Sequence, residues 1–270
     1  MASFQYCLNS STIKPTPILQ KIQVAAEAGY AGIELWHDDI DLYVESGGTV
    51  EDVRKCLDDH GLVAPTTIFL KGWWDTDGDD YTTAIDEIKR RLAQSAIVGA
   101  PHAIAGPPLT VCDHTLGGQR YAALLEVGRE FGVRPAAEYL GFADDINTIE
   151  DALEIMDGSS DTDATIVLDP FHCFRGGGPI ESIDKLTADR IAISHFNDSP
   201  ADPPRASQHD RDRVMPGDGI VDLKLYCDKL REIGYDRWMS LELFHPGYWE
   251  QDPLETAKIG LEKMQAVAEA

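Results

Sequence analysis

The sequence has few of the features that mark secreted, membrane-embedded or disulfide-bonded proteins. Its five cysteines, Cys7, Cys56, Cys112, Cys173 and Cys227, are scattered and form no CxxC pair, which favours reduced thiols over a disulfide framework or a zinc knuckle. No apolar run approaches the roughly 18 residues that a membrane span needs. The segment MASFQYCLNS has neither the basic start nor the apolar core of a signal peptide. These absences predict a cytoplasmic protein without a membrane partner.

Positive charge is also scarce. The 270 residues include 23 Lys and Arg but 47 Asp and Glu, which gives a formal net charge of −24. Such a charge repels phosphate backbones, and because no local basic patch offsets it, the composition argues against a nucleic-acid partner. The acidic residues are spread over predicted helices and loops, as is typical of a solvated surface. Adaptation to a high-salt habitat is the alternative explanation.

Short β-branched or aromatic runs alternate with longer amphipathic segments along the chain, a pattern typical of repeated βα units. Gly29, Gly61 and Gly99 stand where helices would end, and Thr49 with Asp52 three residues later predicts a helix start. Eight such units predict a single (β/α)8 TIM barrel over residues 1–270, with an open doubly wound sheet as the alternative. The eight predicted strands are at roughly residues 4–8, 31–36, 63–69, 102–105, 133–139, 165–169, 190–196 and 237–243.

Four side chains of metal-binding type each end one of the later predicted strands. Because the ends of parallel barrel strands converge, these side chains are predicted to meet at the barrel mouth. Separate polar residues bonded to neighbouring loops are the alternative, but three buried carboxylates would repel one another strongly without a cation. The donor set favours one divalent metal ion, with Mn²⁺ preferred and Mg²⁺, Co²⁺ or Zn²⁺ as alternatives. The four residues are Glu138 in RPAAE, Asp169 in TIVLD, His195 in RIAISH and Glu242 in RWMSLE.

Other residues near the predicted strand ends are candidates for contacting a substrate. His172 follows Asp169 by three residues, and Arg213 lies in the polar stretch 197–219, which we interpret as an active-site loop. For each candidate alone, a structural role in a loop or in the core is the alternative. Together they are consistent with a mixed polar and aromatic pocket. The remaining candidates are Trp36, His37 and Lys71.

The chain resembles the xylose isomerase-like TIM-barrel superfamily, particularly its ketose epimerase, inosose isomerase and inosose dehydratase branches. The resemblance covers nearly the whole chain and depends most on the motifs AGIELW, AAEYLG, LDPFH, HFNDSP, RVMPGDG and SLELF. It implies that Glu138 and Glu242 exchange protons with the substrate, that His172 and Arg213 contact it, and that the protein forms a homodimer. It also implies a single catalytic metal, bound by Glu138, Asp169, His195 and Glu242.

The predicted function is the metal-dependent isomerisation or epimerisation of an unphosphorylated ketose or inosose, through an enediolate formed by glutamate-mediated proton transfer. One alternative is a metal-dependent lyase, similar to inosose dehydratases or to enzymes that cleave oxidised glycosides. Another is a noncatalytic sugar-binding barrel. The chain is also distantly similar to endonuclease IV, which has a trinuclear zinc cluster. On that resemblance, His37 and His102 of this chain would supplement the metal ligands. The negative charge of the chain argues against that branch.

Overall fold

Eight parallel strands close into a barrel in the order of the sequence. The computed structural model describes residues 4–270, so residues 1–3 of the predicted domain and of the N-terminal segment lie outside the described part. β1 pairs with both β2 and β8, which closes the sheet. The predicted (β/α)8 barrel is therefore confirmed, and the open-sheet alternative is wrong. The strands β1 to β8 are Gln5–Asn9, Gly32–Trp36, Thr66–Leu70, His102–Ala105, Arg134–Ala137, Thr165–Leu168, Ile191–Phe196 and Trp238–Leu241.

Helices connect the strands around the outside of the barrel. Three of them, α2, α7 and α9, are short additions that follow β2, β6 and β8 at the carboxyl end of the barrel. The connection from β7 to α8 is a long loop with two 3₁₀ turns, Arg205–Ser207 and Asp210–Asp212. The helices α1 to α10 are Ile18–Ala28, His37–Glu45, Val50–His60, Gly78–Val98, His114–Phe131, Ile149–Gly158, Pro170–Gly176, Leu223–Glu232, Pro246–Trp249 and Pro253–Ala268.

The helix ends predicted from capping residues are present in the structure. Thr49 begins α3 with a capping box, in which its hydroxyl accepts from the N–H of Asp52 and the Asp52 carboxylate accepts from the N–H of Thr49. The helices α1, α3 and α4 end at Gly29, Gly61 and Gly99, with φ angles of 99°, 67° and 81°. Side chains other than hydrogen disfavour this left-handed conformation, so glycine makes a sharp helix end there.

The core has one layer inside the barrel and another between the barrel and the helices. Successive strand residues face opposite sides, so Ile33 and Leu35 pack in the outer layer while Glu34 between them lies inside the barrel. The inner apolar cluster fills the barrel below the carboxyl ends of its strands. Its buried members are Ile68, Ile104, Ala136, Val167, Ala192 and Ile193.

The structure agrees with two absences noted in the sequence. All five cysteines are free thiols, with Cys56 and Cys112 partly exposed and the other three buried. Among residues 4–270, no helix combines the length and apolarity that a membrane crossing requires.

Truncation of Ile104 in the inner cluster is expected to destabilise the barrel. Ile104 is fully buried on β4, so Ile104→Ala would leave a cavity at a cost of about 2–5 kcal/mol in the free energy of unfolding. Ile259 on α10 is 39% exposed, which makes Ile259→Ala the matched control with a smaller expected loss. Urea unfolding followed by circular dichroism measures both. Equal losses in the two variants would contradict the inner-core role of Ile104.

Candidate metal centre

The four predicted metal ligands converge at the carboxyl end of the barrel. Glu138, Asp169 and Glu242 directly follow β5, β6 and β8, and His195 is the next-to-last residue of β7. His195 Nδ1 lies 3.0 Å from Glu242 Oε2, 3.4 Å from Asp169 Oδ2 and 3.9 Å from Glu138 Oε1. All four side chains are buried. One imidazole nitrogen therefore lies close to three carboxylates that come from three different strand ends.

The donor chemistry of this cluster fits a divalent cation. One ligand atom from each of Asp169, His195 and Glu242 lies within 4.8 Å of the other two. Among residues 4–270, no group makes a well-aligned hydrogen bond to either ring nitrogen of the buried His195. Burying a polar atom without a partner is costly, and coordination of a cation by Nδ1 would remove that cost. Oxygen and imidazole donors suit Mn²⁺, Mg²⁺, Co²⁺ or Zn²⁺.

Arg213 supplies positive charge to the same carboxylates. It lies on the β7–α8 loop and is only 1% exposed. Its Nη1 donates to Asp169 Oδ2 at 2.8 Å and to Glu242 Oε2 at 2.6 Å, while Nη2 donates to Asp210 Oδ1 at 2.6 Å. The polar stretch 197–219 thus reaches the cluster through this side chain, which also lines the adjacent cavity.

His172 is a buried neutral ring between the cluster and the cavity. Burial lowers the pKa of His172 to about 4, and the positive charge of Arg213 adds to this effect while Asp169 opposes it. The ring nitrogen Nδ1 accepts from the N–H of Gly141 at 3.1 Å, and Nε2 lies 2.9 Å from Nη2 of Arg213. His172 is therefore held in place by α7 and by the hydrogen bond that one ring nitrogen accepts, because a neutral imidazole has only one acceptor nitrogen.

Burial and neighbouring charges separate the acid–base behaviour of the carboxylates. Burial raises the pKa of Glu138 to about 8; His195 opposes the shift, while Glu242 and Asp169 add to it. Burial also disfavours ionised Asp169, but Arg213 leads the interactions that outweigh burial and lower the pKa of Asp169 below its usual range. The Glu138 carboxyl thus holds a proton more readily than an exposed glutamate does, whereas Asp169 stays ionised.

Two buried residues that the sequence analysis did not identify complete the cluster. Glu34 Oε2 lies 3.3 Å from His195 Nε2, on the other side of the ring from Nδ1. The hydroxyls of Thr66 and Ser240 donate to the Glu34 carboxylate. Asn9 Nδ2 donates to Glu34 Oε2 at 3.0 Å and to Glu242 Oε1 at 2.9 Å. Glu34 and Asn9 thus connect the first two strands of the barrel to the cluster.

Asn197 is a third buried residue that contacts the cluster and was not identified from the sequence. It directly follows β7, and its Nδ2 lies 3.2 and 3.3 Å from the two carboxylate oxygens of Asp169. Two features of the sequence could have indicated these residues. Glu34 is a single carboxylate inside the apolar run AGIELW, and Asn197 is an amide two residues after His195 in HFNDSP.

A cavity of about 400 Å³ opens beside the cluster. Its wall is largely apolar and includes Trp36 and Phe244, whose rings pack edge to face with centroids 5.8 Å apart. The loop after β4 and the loop after β5 form another part of the wall through Leu109 and Phe142. Of the predicted substrate contacts, those that line this cavity are Trp36, Lys71, His172 and Arg213.

The structure places two other histidines away from the cluster. His37 begins α2, is fully buried, and its Nδ1 lies 3.0 Å from Oε1 of Gln94 on α4. The sequence-based substrate contact through His37 therefore needs correction, because its ring packs toward α4 and is not part of the cavity lining. His102 begins β4 at the opposite end of the barrel. Among residues 4–270, the group of close metal-ligand atoms at the barrel mouth includes neither of these histidines.

Comparisons with known proteins give a consistent family. A family model described as xylose isomerase-like TIM barrel matches residues 22–267. The chain is 27% identical over 270 residues to an inosose isomerase of Bacillus velezensis, covering 97% of this chain and 96% of that protein. It is 30% identical over 192 residues to an inosose isomerase of Bacillus subtilis, covering 67% of this chain and 69% of that protein.

A dehydratase and a solved structure are also similar to this chain. A 3-dehydroshikimate dehydratase of Pseudomonas aeruginosa is 24% identical over 245 residues, which cover 85% of this chain but 36% of that longer protein. A crystal structure of the IOLI protein with a binding zinc atom matches with a TM-score of 0.92 and 24% identity, over 98% of each chain. The matched family model spans most of the chain, and the chain belongs to the xylose isomerase-like TIM-barrel family.

Proposed function

We propose that the protein is a divalent-metal-dependent isomerase or epimerase of an inosose or a related unphosphorylated ketose. The observation that carries this proposal is the convergence of Glu138, Asp169, His195 and Glu242 beside the cavity. Relatives named inosose isomerase support the substrate class. The metal, when bound, supplies a Lewis acid that lowers the cost of forming an enediolate next to a carbonyl group.

Glu138 and Glu242 are the proposed proton-transfer groups. Both line the cavity, and they come from β5 and β8, which are separated by two strands of the barrel. Burial raises the pKa of Glu138, and a cation bound to the same carboxylate would lower it again. One glutamate removes the proton next to the carbonyl and the other returns a proton. The carbon and face that receive this proton determine whether the product is an isomer or an epimer.

The charges around the cavity support a substrate without a phosphate group. Of the described residues that line the cavity, Lys71 and Arg213 are the cations, and Arg213 already bonds to Asp169, Glu242 and Asp210. Away from the proposed metal, a phosphate would therefore depend on Lys71 while lying close to several carboxylates, which is electrostatically unfavourable. The apolar wall suits the C–H faces of a sugar or cyclitol ring.

A lyase is the second candidate function. The relative named 3-dehydroshikimate dehydratase aligns with 85% of this chain. Proton removal by the same glutamate would then be followed by the loss of a hydroxyl group from the neighbouring carbon. Isomerisation conserves the composition of the substrate, whereas elimination releases water and leaves a conjugated product.

Deuterium exchange is expected to detect the proposed proton transfer. The Mn²⁺-loaded protein is incubated in D₂O with a panel of free inososes and ketoses, and carbon-bound deuterium and products are followed by NMR. We expect exchange and an isomeric product for at least one inosose, and neither in a chelated control. A conjugated product would favour the lyase. Tight binding without exchange or product across the panel would contradict both activities and favour a binding protein.

Glu138→Gln and Glu242→Gln are each expected to lower kcat by about 10²- to 10⁴-fold. The amide keeps the shape of the side chain but cannot accept the substrate proton. Turnover is measured at matched metal content, determined by elemental analysis, so that loss of metal is separated from loss of proton transfer. Glu262→Gln on the exposed face of α10 is the control with unchanged turnover. Near-normal kcat in either test variant would remove that glutamate from the mechanism.

Glu34→Gln is expected to weaken metal binding by about 10- to 100-fold. An imidazole that binds a cation through Nδ1 keeps its proton on Nε2, and in His195 this nitrogen faces the Glu34 carboxylate. The amide removes the negative charge that orients the ring. Competition with a chromophoric chelator measures the metal affinity directly, with Glu262→Gln again as the control. Equal affinities of the two variants would show that Glu34 does not position His195.

A further inference from the structure

A second group of metal-binding side chains lies outside the cluster described above. Cys112 is on the β4–α5 loop, His114 is the first residue of α5, and Asp145 is on the β5–α6 loop. One ligand atom from each residue lies within 4.8 Å of the other two. His114 Nε2 is 3.4 Å from Asp145 Oδ2, and Cys112 Sγ is 3.8 Å from the same oxygen. The three side chains are partly exposed, so an ion can reach them from solvent.

Two of the three separations between these atoms are close to those of a tetrahedral zinc site, and the third, from Cys112 Sγ to a ring nitrogen of His114, is within 4.8 Å. Zinc binds thiolate sulfur at about 2.3 Å and nitrogen or oxygen at about 2.0–2.2 Å, which separates neighbouring ligand atoms by about 3.3–3.6 Å. The 3.4 Å nitrogen-to-oxygen and 3.8 Å sulfur-to-oxygen distances therefore need only small side-chain adjustments. Three protein ligands leave a fourth position for water.

Neighbouring groups prepare the site for a cation. Glu154 Oε2 lies 3.0 Å from Nδ1 of His114, which leaves Nε2 facing Asp145. A carboxylate behind a metal-bound imidazole fixes the ring and strengthens it as a ligand. The backbone N–H of Cys112 donates to Asp145 Oδ2 at 3.1 Å and holds that carboxylate in place.

We propose that Cys112, His114 and Asp145 bind zinc or another thiolate-binding divalent cation, with Glu154 orienting His114. On binding, the cation takes the place of the Cys112 thiol proton, which passes to solvent. The sulfur ligand makes this site chemically different from the cluster at the barrel mouth, whose donors are oxygen and nitrogen. The inference does not depend on the proposed catalytic function.

The site would join two loops that form part of the cavity wall. The β4–α5 loop lines the cavity with Leu109 and neighbouring residues, and the β5–α6 loop lines it with Phe142. Away from the ligands, the two loops share one further bond, from the N–H of Asp144 to the carbonyl oxygen of Leu109 at 2.9 Å. A cation bound between Cys112 and Asp145 would add a stronger connection and fix this side of the wall.

Cadmium titration of the metal-free protein tests the site. Cysteine thiolate bound to Cd²⁺ gives an ultraviolet charge-transfer band, and the ligands at the barrel mouth contain no sulfur. With a phosphine reductant present to keep the cysteines reduced, we expect the band to saturate at one thiolate-bound ion per chain. Cys112→Ser is expected to abolish the band, and Glu154→Gln is expected to weaken the affinity by about 10- to 100-fold.

Cys56→Ser is the matched control. Cys56 is the other partly exposed cysteine, and its Sγ lies 3.7 Å from Nδ1 of His60. We expect this variant to keep the full band. No band in the unsubstituted protein, a band that survives Cys112→Ser, or a band that Cys56→Ser abolishes would each overturn the proposal. Circular dichroism confirms that each variant is folded.

A second measurement avoids substitution altogether. Alkylation of the native protein, followed by peptide mass spectrometry, reports on Cys112 and Cys56 in the same sample. We expect Zn²⁺ to slow the alkylation of Cys112 by at least about tenfold, because the metal-bound thiolate is withheld from the reagent, and to leave Cys56 unchanged. Equal rates at Cys112 with and without Zn²⁺ would overturn the proposal.

Discussion

The mutual repulsion of buried carboxylates is the constraint on which the barrel mouth depends. Glu138, Asp169 and Glu242 meet in a buried region, where like charges are costly unless cations or protons balance them. Arg213 donates to two of these carboxylates, and His195 lies within 3.9 Å of all three. A divalent cation would supply further charge at the same place. The need for positive charge therefore explains both the buried arginine and the fit to a metal.

The barrel interior makes this arrangement possible because it provides a dry and rigid base. Val167 in the inner apolar cluster precedes Asp169 by two residues, and Ile193 precedes His195 by two. Residues two apart on a strand face the same side, so the polar layer lies directly above the apolar layer. The ligand positions are therefore held at or directly after the ends of strands, while loops surround the cavity above them.

The separation between ligands at strand ends and a cavity wall made by loops suits a chain whose relatives include isomerases and a dehydratase. In the proposed mechanism, the strand ends would provide groups for proton removal, a step that isomerisation and elimination share. The cavity wall comes from loops, through residues such as Leu109, Phe142 and Lys71, and would determine how a substrate is oriented. A cation bound by Cys112, His114 and Asp145 would act on the wall without changing the proposed proton-transfer groups.

The sequence by itself determined the eight βα units, several helix ends and the four residues that converge, because strand and helix periodicity and end signals are local properties. Only the tertiary structure showed that Asn9 bonds to Glu242, 233 residues away, because this contact requires β1 to close against β8. It likewise decided that Glu34 faces His195 and that His37 packs toward Gln94. Sequence spacing specifies which residues end a strand, but closure of the barrel decides which distant side chains meet.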